Sequence, residues 1–377
     1  MFSKSSRDAI LSAFSLATQM ASDSSLRDRF CNSPDEVLGC WGVSTKEGIF
    51  DPPVSLNNSM LTHLSHDYTS YLDRLVVTPN SIDRKCVSPP QDTETILFHL
   101  GIKSALRICV PETQLSGVIN FCANSNAVFF VAPYKIEQLM DVGKGGYSNR
   151  FGRFMPLDAS EEGDLIVYIA REVETAVLLW LSETLGLHGS VGRLLGYPEC
   201  CIEFYGRNVH LTNANFQGDF ILLSLAETLP APPYPFYTNN LLRYFDMFLI
   251  SHFPCSYWCR QSCFLARSNL RHLKRCDAQR AAILRSRLLS SVLYTDCEGV
   301  FSFADAEYIE DESFLYRSEH VLGTTAHSRL SMALKESNRV VCTPTRLAVY
   351  NHNTLTYAMD HGAHLLRFGD VFPRLHD

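Results

Sequence analysis

The sequence predicts an α+β fold, a mixed α/β arrangement in which a helical N-terminal segment precedes a mixed-sheet core with a cysteine-bearing helical region. Apolar residues make up 46% of the 377 residues and aromatic residues 11%, which is enough for a sizeable core. Short apolar runs suited to strands alternate irregularly with segments of helical periodicity. No fixed-period repeat is present, so repeat architectures are excluded.

The chain begins with a predicted helical segment over residues 1–45. Its apolar residues recur at helical spacing, and Asp23 and Ser33 with Pro34 are residues that favour helix starts. The order of Asp, Leu-Arg, Phe, Pro and Val-Leu before Gly42 resembles leader-like helical segments on precursors and enzymes of ribosomally made, modified peptides. The alternative is a small helical cap, since amphipathic helices usually face a core.

Two further regions follow this segment. Residues 46–92 contain Pro- and Ser-rich stretches, which predict a linker and helical connection. Residues 93–377 predict the mixed α/β core. Its clearest helical patterns cover 172–185 and 254–273. Its predicted strands are 105–110, 127–132, 165–170, 291–294, 299–303, 340–342, 347–350 and 365–368.

Charge and hydropathy exclude several classes of protein. Charged residues make up 19% of the chain and the formal net charge is -7, which does not indicate a general polyanion binder. Nucleic acid is therefore not an expected partner, and any binding to it would have to be local. No window approaches the roughly 18 consecutive apolar residues of a membrane span. The first residues lack the features of a secretory signal, so we expect a cytoplasmic protein without membrane contact.

The cysteines are the most informative residues. Thirteen cysteines in a reducing compartment are not expected to form a disulfide framework, so their clustering matters. A proline shortly before a cysteine pair or series predicts a helix start, where the positive end of the helix dipole favours thiolate over thiol. Five cysteines fall in two segments of this kind: Cys200, Cys201, Cys255, Cys259 and Cys263.

The spacing of these cysteines predicts a metal-thiolate site. If the second segment is helical, Cys255, Cys259 and Cys263 lie on one face at i, i+4 and i+8. With Cys200 or Cys201 they would hold an iron–sulfur cluster, for which 4Fe–4S is favoured, or a tetrahedral zinc ion. We predict Cys200, Cys201, Cys255 and Cys259 as metal ligands and Cys263 as an additional cofactor-binding residue. The alternative is five small buried residues without a metal.

The two segments resemble the signature stretches of an uncharacterised, mainly prokaryotic family, the domain of unknown function numbered 483. These stretches are GRLLGYPECC at 192–201 and HFPCSxxCxxS at 252–262. The resemblance covers residues 160–370. It implies no activity, because none is established for the family. It implies only that Cys200, Cys201, Cys255 and Cys259 act together.

Three polar residues near the cysteines are candidates for catalysis. His252 could be a ligand, a proton donor or a cap partner, because histidine titrates near neutral pH. Glu199 flanks the adjacent cysteine pair and could act as an acid or a base. Arg243 follows a turn-rich stretch and could form a bidentate contact with a carboxylate or phosphate. For each of them the alternative is an ordinary structural role.

Two functions are consistent with these features. The first is an iron–sulfur enzyme that modifies a small molecule or a peptide-derived substrate, with an electron donor or another enzyme as its partner. The second is a binding module stabilised by a closed zinc site, which recognises a peptide, an RNA or a partner protein. Metal analysis and visible absorption distinguish them.

Overall fold

The computed structural model describes residues 4–41, 92–138, 151–157, 159–215, 219–229 and 232–373. Its helices and its four mostly antiparallel sheets confirm the predicted α+β fold. The chain divides into two compact units. The first unit comprises Met1–Gln138 and Phe151–Arg207, and the second comprises Leu139–Arg150 and Asn208–Asp377. The predicted linker at 46–92 lies almost wholly outside the described residues.

Three helices open the first unit where the periodicity predicts them. Their bounds are α1 Lys4–Ser22, α2 Ser24–Asn32 and α3 Pro34–Cys40. The side chain of Asp23 accepts a hydrogen bond from the N–H of Leu26 at 3.1 Å and so caps α2. Pro34 occupies the first turn of α3.

The first unit continues with α4 Thr93–His99, β1 Ala105–Pro111, α5 Leu115–Asn124, β2 Val128–Gln138, β3 Phe151–Pro156, β4 Asp164–Ala170, α6 Val173–Thr184, α7 His188–Leu194 and α8 Glu199–Asn215, the last of which crosses into the second unit. The four strands form an antiparallel sheet at the centre of the unit, in the order β1-β4-β2-β3. Helix α6 is buried along most of its length because it contacts both β2 and β4 and also α1.

An ion pair lies within the first unit between β1 and α6. Two nitrogens of Arg107 each approach one carboxylate oxygen of Glu183 at 2.8 Å. The hydroxyl of Tyr168 donates to the same carboxylate at 2.7 Å. The side chains of Arg107 and Glu183 are 22% and 15% exposed, so the pair is largely withdrawn from water. Its geometry is the bidentate form that favours arginine over lysine.

The second unit combines helices with three further sheets. Its described elements are α9 Phe220–Ala226, β5 Tyr234–Pro235, α10 Arg260–Cys276, α11 Ala278–Leu288, β6 Ser291–Thr295, β7 Val300–Phe303, β8 Glu307–Glu310, β9 Ser313–Leu315, β10 Val321–Gly323, α12 Arg329–Lys335, β11 Arg339–Thr343, β12 Arg346–Asn351, β13 Thr354–Asp360, β14 Ala363–Leu366 and β15 Phe368–Gly369. The strands pair in the orders β10-β7-β6-β14 and β13-β12-β11-β9-β8, and β15 and β5 form a short parallel pair.

The strands of the second unit differ from the prediction in one division and in several additional strands. The single strand predicted at 365–368 is divided at Arg367, because β14 pairs with β6 whereas β15 pairs with β5. Strands β5, β8, β9, β10 and β13 were not predicted, although Leu355, Tyr357 and Met359 stand at alternate positions of β13. Among the described helices, none is both long and apolar enough to cross a bilayer.

Candidate metal centre

The turn that leads to the first two cysteines is fixed by the end of α7. Gly196 adopts a left-handed conformation with φ +77°. Its N–H donates to the carbonyl of Arg193 at 3.0 Å, and the N–H of Tyr197 donates to the carbonyl of Gly192 at 2.9 Å. These two bonds form a Schellman motif, which ends a helix and favours glycine at the left-handed position. The glycines of the GRLLGYPECC stretch therefore have a geometric role.

Helix α8 begins directly after this turn and carries Cys200 and Cys201. The carbonyl of Pro198 accepts hydrogen bonds from the N–H groups of Cys201 at 2.9 Å and Ile202 at 3.0 Å. Both cysteines thus lie in the first turn, as predicted, where the helix dipole stabilises thiolate. The approach of α7 is close, since a Cβ on Gly192 would lie 2.6 Å from Cγ1 of Ile202.

We expect Gly196→Ala to lower the free energy of unfolding by about 1–2 kcal/mol, because alanine is strained in the left-handed region. Gly206→Ala is a matched control for which the free energy of unfolding should change in the opposite direction. Gly206 lies inside α8 with open space around its Cα, and alanine there should stabilise by about 0.5–1 kcal/mol. Urea denaturation of the three proteins measures both effects, and equal stabilities for the two variants would contradict the prediction.

The segment predicted to be helical from Pro254 is not helical before Cys259, so that prediction is wrong. Helix α10 begins at Arg260, and Cys259 is its N-cap residue. Ser256 explains the difference, because its carbonyl accepts a hydrogen bond from the N–H of Cys259 at 2.8 Å and closes a turn. Cys255 therefore lies on a loop, and the second segment does not present a single helical row of thiols.

Three buried hydroxyl groups hold this loop, and we call them the hydroxyl cradle: Ser224, Thr228 and Thr238. Ser224 Oγ donates to the carbonyl of Pro254 at 2.7 Å. Thr228 Oγ1 accepts from the N–H of Tyr257 at 2.9 Å, and Thr238 Oγ1 donates to the carbonyl of Tyr257 at 2.7 Å. The main chain on both sides of Cys255 is thus fixed by partners distant in sequence.

We expect Thr228→Val to destabilise the protein by about 1–3 kcal/mol, because it leaves the buried N–H of Tyr257 without its acceptor while preserving side-chain shape. It should also weaken metal binding by about 10- to 100-fold, as changes to the support of metal ligands do. Thr354→Val is the control, since Thr354 is exposed at the start of β13. Metal competition titration with a chromogenic chelator measures the affinity, and equal affinities for the two variants would argue against the cradle.

Four cysteines come together: Cys200, Cys201, Cys255 and Cys259. Each sulfur lies within 4.8 Å of the other three. The sulfurs of the adjacent pair, Cys200 and Cys201, are 3.8 Å apart. Cys201 and Cys259 are buried, and Cys200 and Cys255 are partly exposed. These are the four predicted metal ligands, and the group could hold a metal ion. Both members of the adjacent pair, Cys200 and Cys201, belong to the group.

His252 supports the group through a neighbour. Its Nε2 atom lies 2.8 Å from the hydroxyl of Ser262 in a buried contact. The backbone N–H of Ser262 in turn donates to the sulfur of Cys259, with 3.5 Å between nitrogen and sulfur. Such a bond stabilises negative charge on the sulfur. His252 is therefore connected to the cysteines through Ser262, which accounts for the first and last residues of the HFPCSxxCxxS stretch.

Glu199 and Arg243 are engaged in contacts of their own. Arg193 forms a two-bond ion pair with Glu199, with nitrogen–oxygen distances of 2.5 and 3.1 Å. Arg243 is buried, donates to the carbonyl of Ser251, and lies over the ring of Phe253 at 4.9 Å from its centre. Glu199 thus lies at the surface in an ion pair, whereas Arg243 supports the backbone before the cysteine loop.

Cys263 lies outside the four-cysteine group. It is fully buried one turn into α10, and burial raises the pKa of its thiol well above the ordinary value, with a further increase from Cys259. A neutral, buried thiol of this kind is a packing residue. For Cys263 this agrees with the alternative of a small buried residue that binds no metal.

No family model, no curated protein and no solved structure matches this chain.

The hydroxyl cradle was not found from the sequence, because isolated Ser and Thr residues far along the chain give no signal of their own. Ser256 and Ser262 stand in the HFPCSxxCxxS stretch at 252–262, but the sequence alone assigned no role to either of them.

Proposed function

We propose that the four cysteines bind one zinc ion and that the protein is a zinc-stabilised binding module. The spacing of the sulfurs carries this proposal. Zinc binds thiolates at about 2.3 Å in a tetrahedron, so neighbouring sulfurs around one ion lie roughly 3.8 Å apart. The adjacent pair has this separation, and all four sulfurs lie within 4.8 Å of one another. Only a small contraction brings the group to the geometry of a single ion.

The same spacing disfavours the iron–sulfur cluster expected from the sequence. A 4Fe–4S cluster separates four iron atoms, and each cysteine sulfur lies outward of its own iron. The sulfurs must then be farther apart than around one ion, so the loop and the start of α8 would have to open. The sequence predicted Cys255 and Cys259 on one face of a helix, whereas in the structure Cys255 lies on a loop before the helix.

The surroundings of the four sulfurs support a structural role for the ion. Four protein thiolates fill a tetrahedral zinc site and leave no open position, which is typical of structural zinc. Negative charge on the sulfurs is favoured by two helix starts, one carrying Cys200 and Cys201 and the other capped by Cys259. The N–H of Ser262 adds a direct hydrogen bond. Bound zinc would crosslink two segments that are distant in sequence.

The candidate catalytic residues also fit a binding module better than an enzyme. Glu199 is paired with Arg193, and Arg243 donates to the backbone of Ser251. His252 contacts Ser262 inside the protein. These contacts give each residue a structural role near the loop or at the start of α8, and they do not converge on one reacting position.

Anaerobic purification followed by zinc, iron and sulfide analysis tests the proposal. We expect one zinc per chain, a colourless protein, and, after exchange with Co²⁺, the visible absorption of a tetrahedral tetrathiolate site. Brown protein with iron and sulfide would instead support the iron–sulfur enzyme. Folded protein that contains no metal and fails to take up Co²⁺ would leave four packed thiols and contradict both functions.

A further inference from the structure

The segment 260–288, which forms α10 and α11, is strongly basic. It contains eight Arg or Lys residues and one acidic residue, Asp277, so its formal net charge is +7. The whole chain carries -7, and the remaining residues therefore carry -14. The average charge of the protein conceals this segment. On an acidic protein, a positive region attracts anions locally, whereas the negatively charged remainder repels them.

One face of α10 collects these charges at the surface. Its opposite face is buried and includes Cys263, Ala266, Asn269 and Leu273. The exposed positions follow at intervals of three or four residues, so they form one row about 22 Å long. Among the described residues, no carboxylate forms an ion pair with a member of this row. We call the row the basic stripe, and its members are Arg260, Phe264, Arg267, Arg271, Lys274 and Arg275.

Aromatic rings alternate with guanidinium groups at the start of the stripe. Phe264 is 49% exposed and lies between Arg260 and Arg267 on this face of the helix. The guanidinium of Arg260 lies 5.4 Å from the centre of its ring. Phe372 contacts Phe264 edge-on at 5.1 Å between ring centres and lies 5.3 Å from the guanidinium of Arg267. Rings and guanidinium planes held together in this way offer flat surfaces for stacking.

We propose that the basic stripe binds single-stranded nucleic acid. The inference names a partner for the proposed binding module and rests on that proposed function, although the stripe does not depend on which metal is bound. The cations contact phosphates, and Phe264 with its neighbouring rings stacks on bases, as in proteins that bind single strands without sequence preference. Arginine outnumbers lysine four to one in the stripe, and its planar fork suits phosphate. An acidic protein partner would account for the charges but not for the exposed ring.

Fluorescence anisotropy of the full-length protein tests this inference. The probes are fluorescein-labelled single-stranded RNA and DNA of about 12 nucleotides and mixed sequence, titrated at about 50 to 200 mM KCl. We expect the affinity to fall with salt, by a slope of about 0.7 per phosphate neutralised. Binding of either strand supports the proposal, and the ratio of affinities identifies RNA or DNA as the partner.

Three variants separate charge from stacking. Arg267→Glu with Arg271→Glu should weaken binding by at least about tenfold and flatten the salt dependence. Phe264→Ala should weaken it by about fivefold or more with the slope unchanged. Arg346→Ala, which removes an exposed arginine in β12, should bind like the wild type. Each variant should retain the metal content of the wild type.

Two results would overturn the inference. The first is no binding of either strand at low salt. The second is full affinity for Phe264→Ala together with equally effective competition by polyglutamate, which would identify an acidic protein segment as the partner. The metal analysis keeps the two proposals distinguishable. Protein without zinc that binds RNA through the stripe contradicts the zinc site alone, and zinc-loaded protein that binds no strand contradicts the stripe alone.

Discussion

Cys259→Ser should abolish metal binding while preserving the start of α10. The sulfur of Cys259 belongs to the four-cysteine group, and Cys259 is also the N-cap residue of α10. Serine is a favoured N-cap, so its hydroxyl can replace the sulfur as acceptor for the N–H of Ser262. We expect the zinc content to fall from one equivalent to below about one tenth. With free zinc at about 1,000 times the dissociation constant, the free energy of unfolding should fall by about 4 kcal/mol.

Two other cysteines on the same helix provide controls for this substitution. Cys263→Ala removes a buried thiol outside the group and should retain one zinc despite a modest loss of stability. Cys276→Ser changes an exposed thiol at the end of α10 and should leave both quantities unchanged. Metal analysis and urea denaturation with and without a chelator measure the set. Retention of zinc by Cys259→Ser, or its loss from Cys263→Ala, would refute the assignment of ligands.

Arg107→Met should strongly destabilise the first unit. It leaves the largely buried carboxylate of Glu183 without its bidentate partner, and removing one member of a buried pair costs about 3–5 kcal/mol. The exposed fractions of 22% and 15% place the expected value at the lower end, near 3 kcal/mol. The midpoint of urea unfolding measures the loss.

The double variant Arg107→Met with Glu183→Gln separates lost packing from an unpaired charge. Glutamine removes the charge and keeps an oxygen that can accept the hydrogen bond from Tyr168. The double variant should therefore recover most of the stability lost by Arg107→Met. If it is as unstable as the single variant, the loss comes from packing of the long arginine side chain, and the ion pair contributes little.

The elements that the sequence predicts well are those with local causes. The cap at Asp23 and the helix start at Pro34 depend on residues within one turn. Strand β4 and helix α6 are apolar runs buried by their own unit, so their composition reveals them. Strand β8 is short and mostly exposed and is held by its pairing with β9, which no local pattern records. Pairing between distant segments is the information that a single sequence lacks.

The candidate site likewise has features that the sequence alone predicts and features that it does not. The four cysteines could be predicted because their spacing and the prolines before them are local patterns. The helix start could not, because Pro254 suits a first helical turn as well as it suits a loop, and the bond from Cys259 to Ser256 decides between them. The hydroxyl cradle depends on contacts across 19 to 30 positions of the chain, which only the folded structure displays.

The hydroxyl cradle holds the loop around Cys255 in place whether or not an ion is bound. The fold itself orders the main chain around Cys255, so capture of the ion requires little further loss of chain entropy. If the four cysteines bind an ion, one that needs a wider coordination sphere would have to break these buried hydrogen bonds. Release and rebinding of a metal ion at the four cysteines would then leave the loop folded.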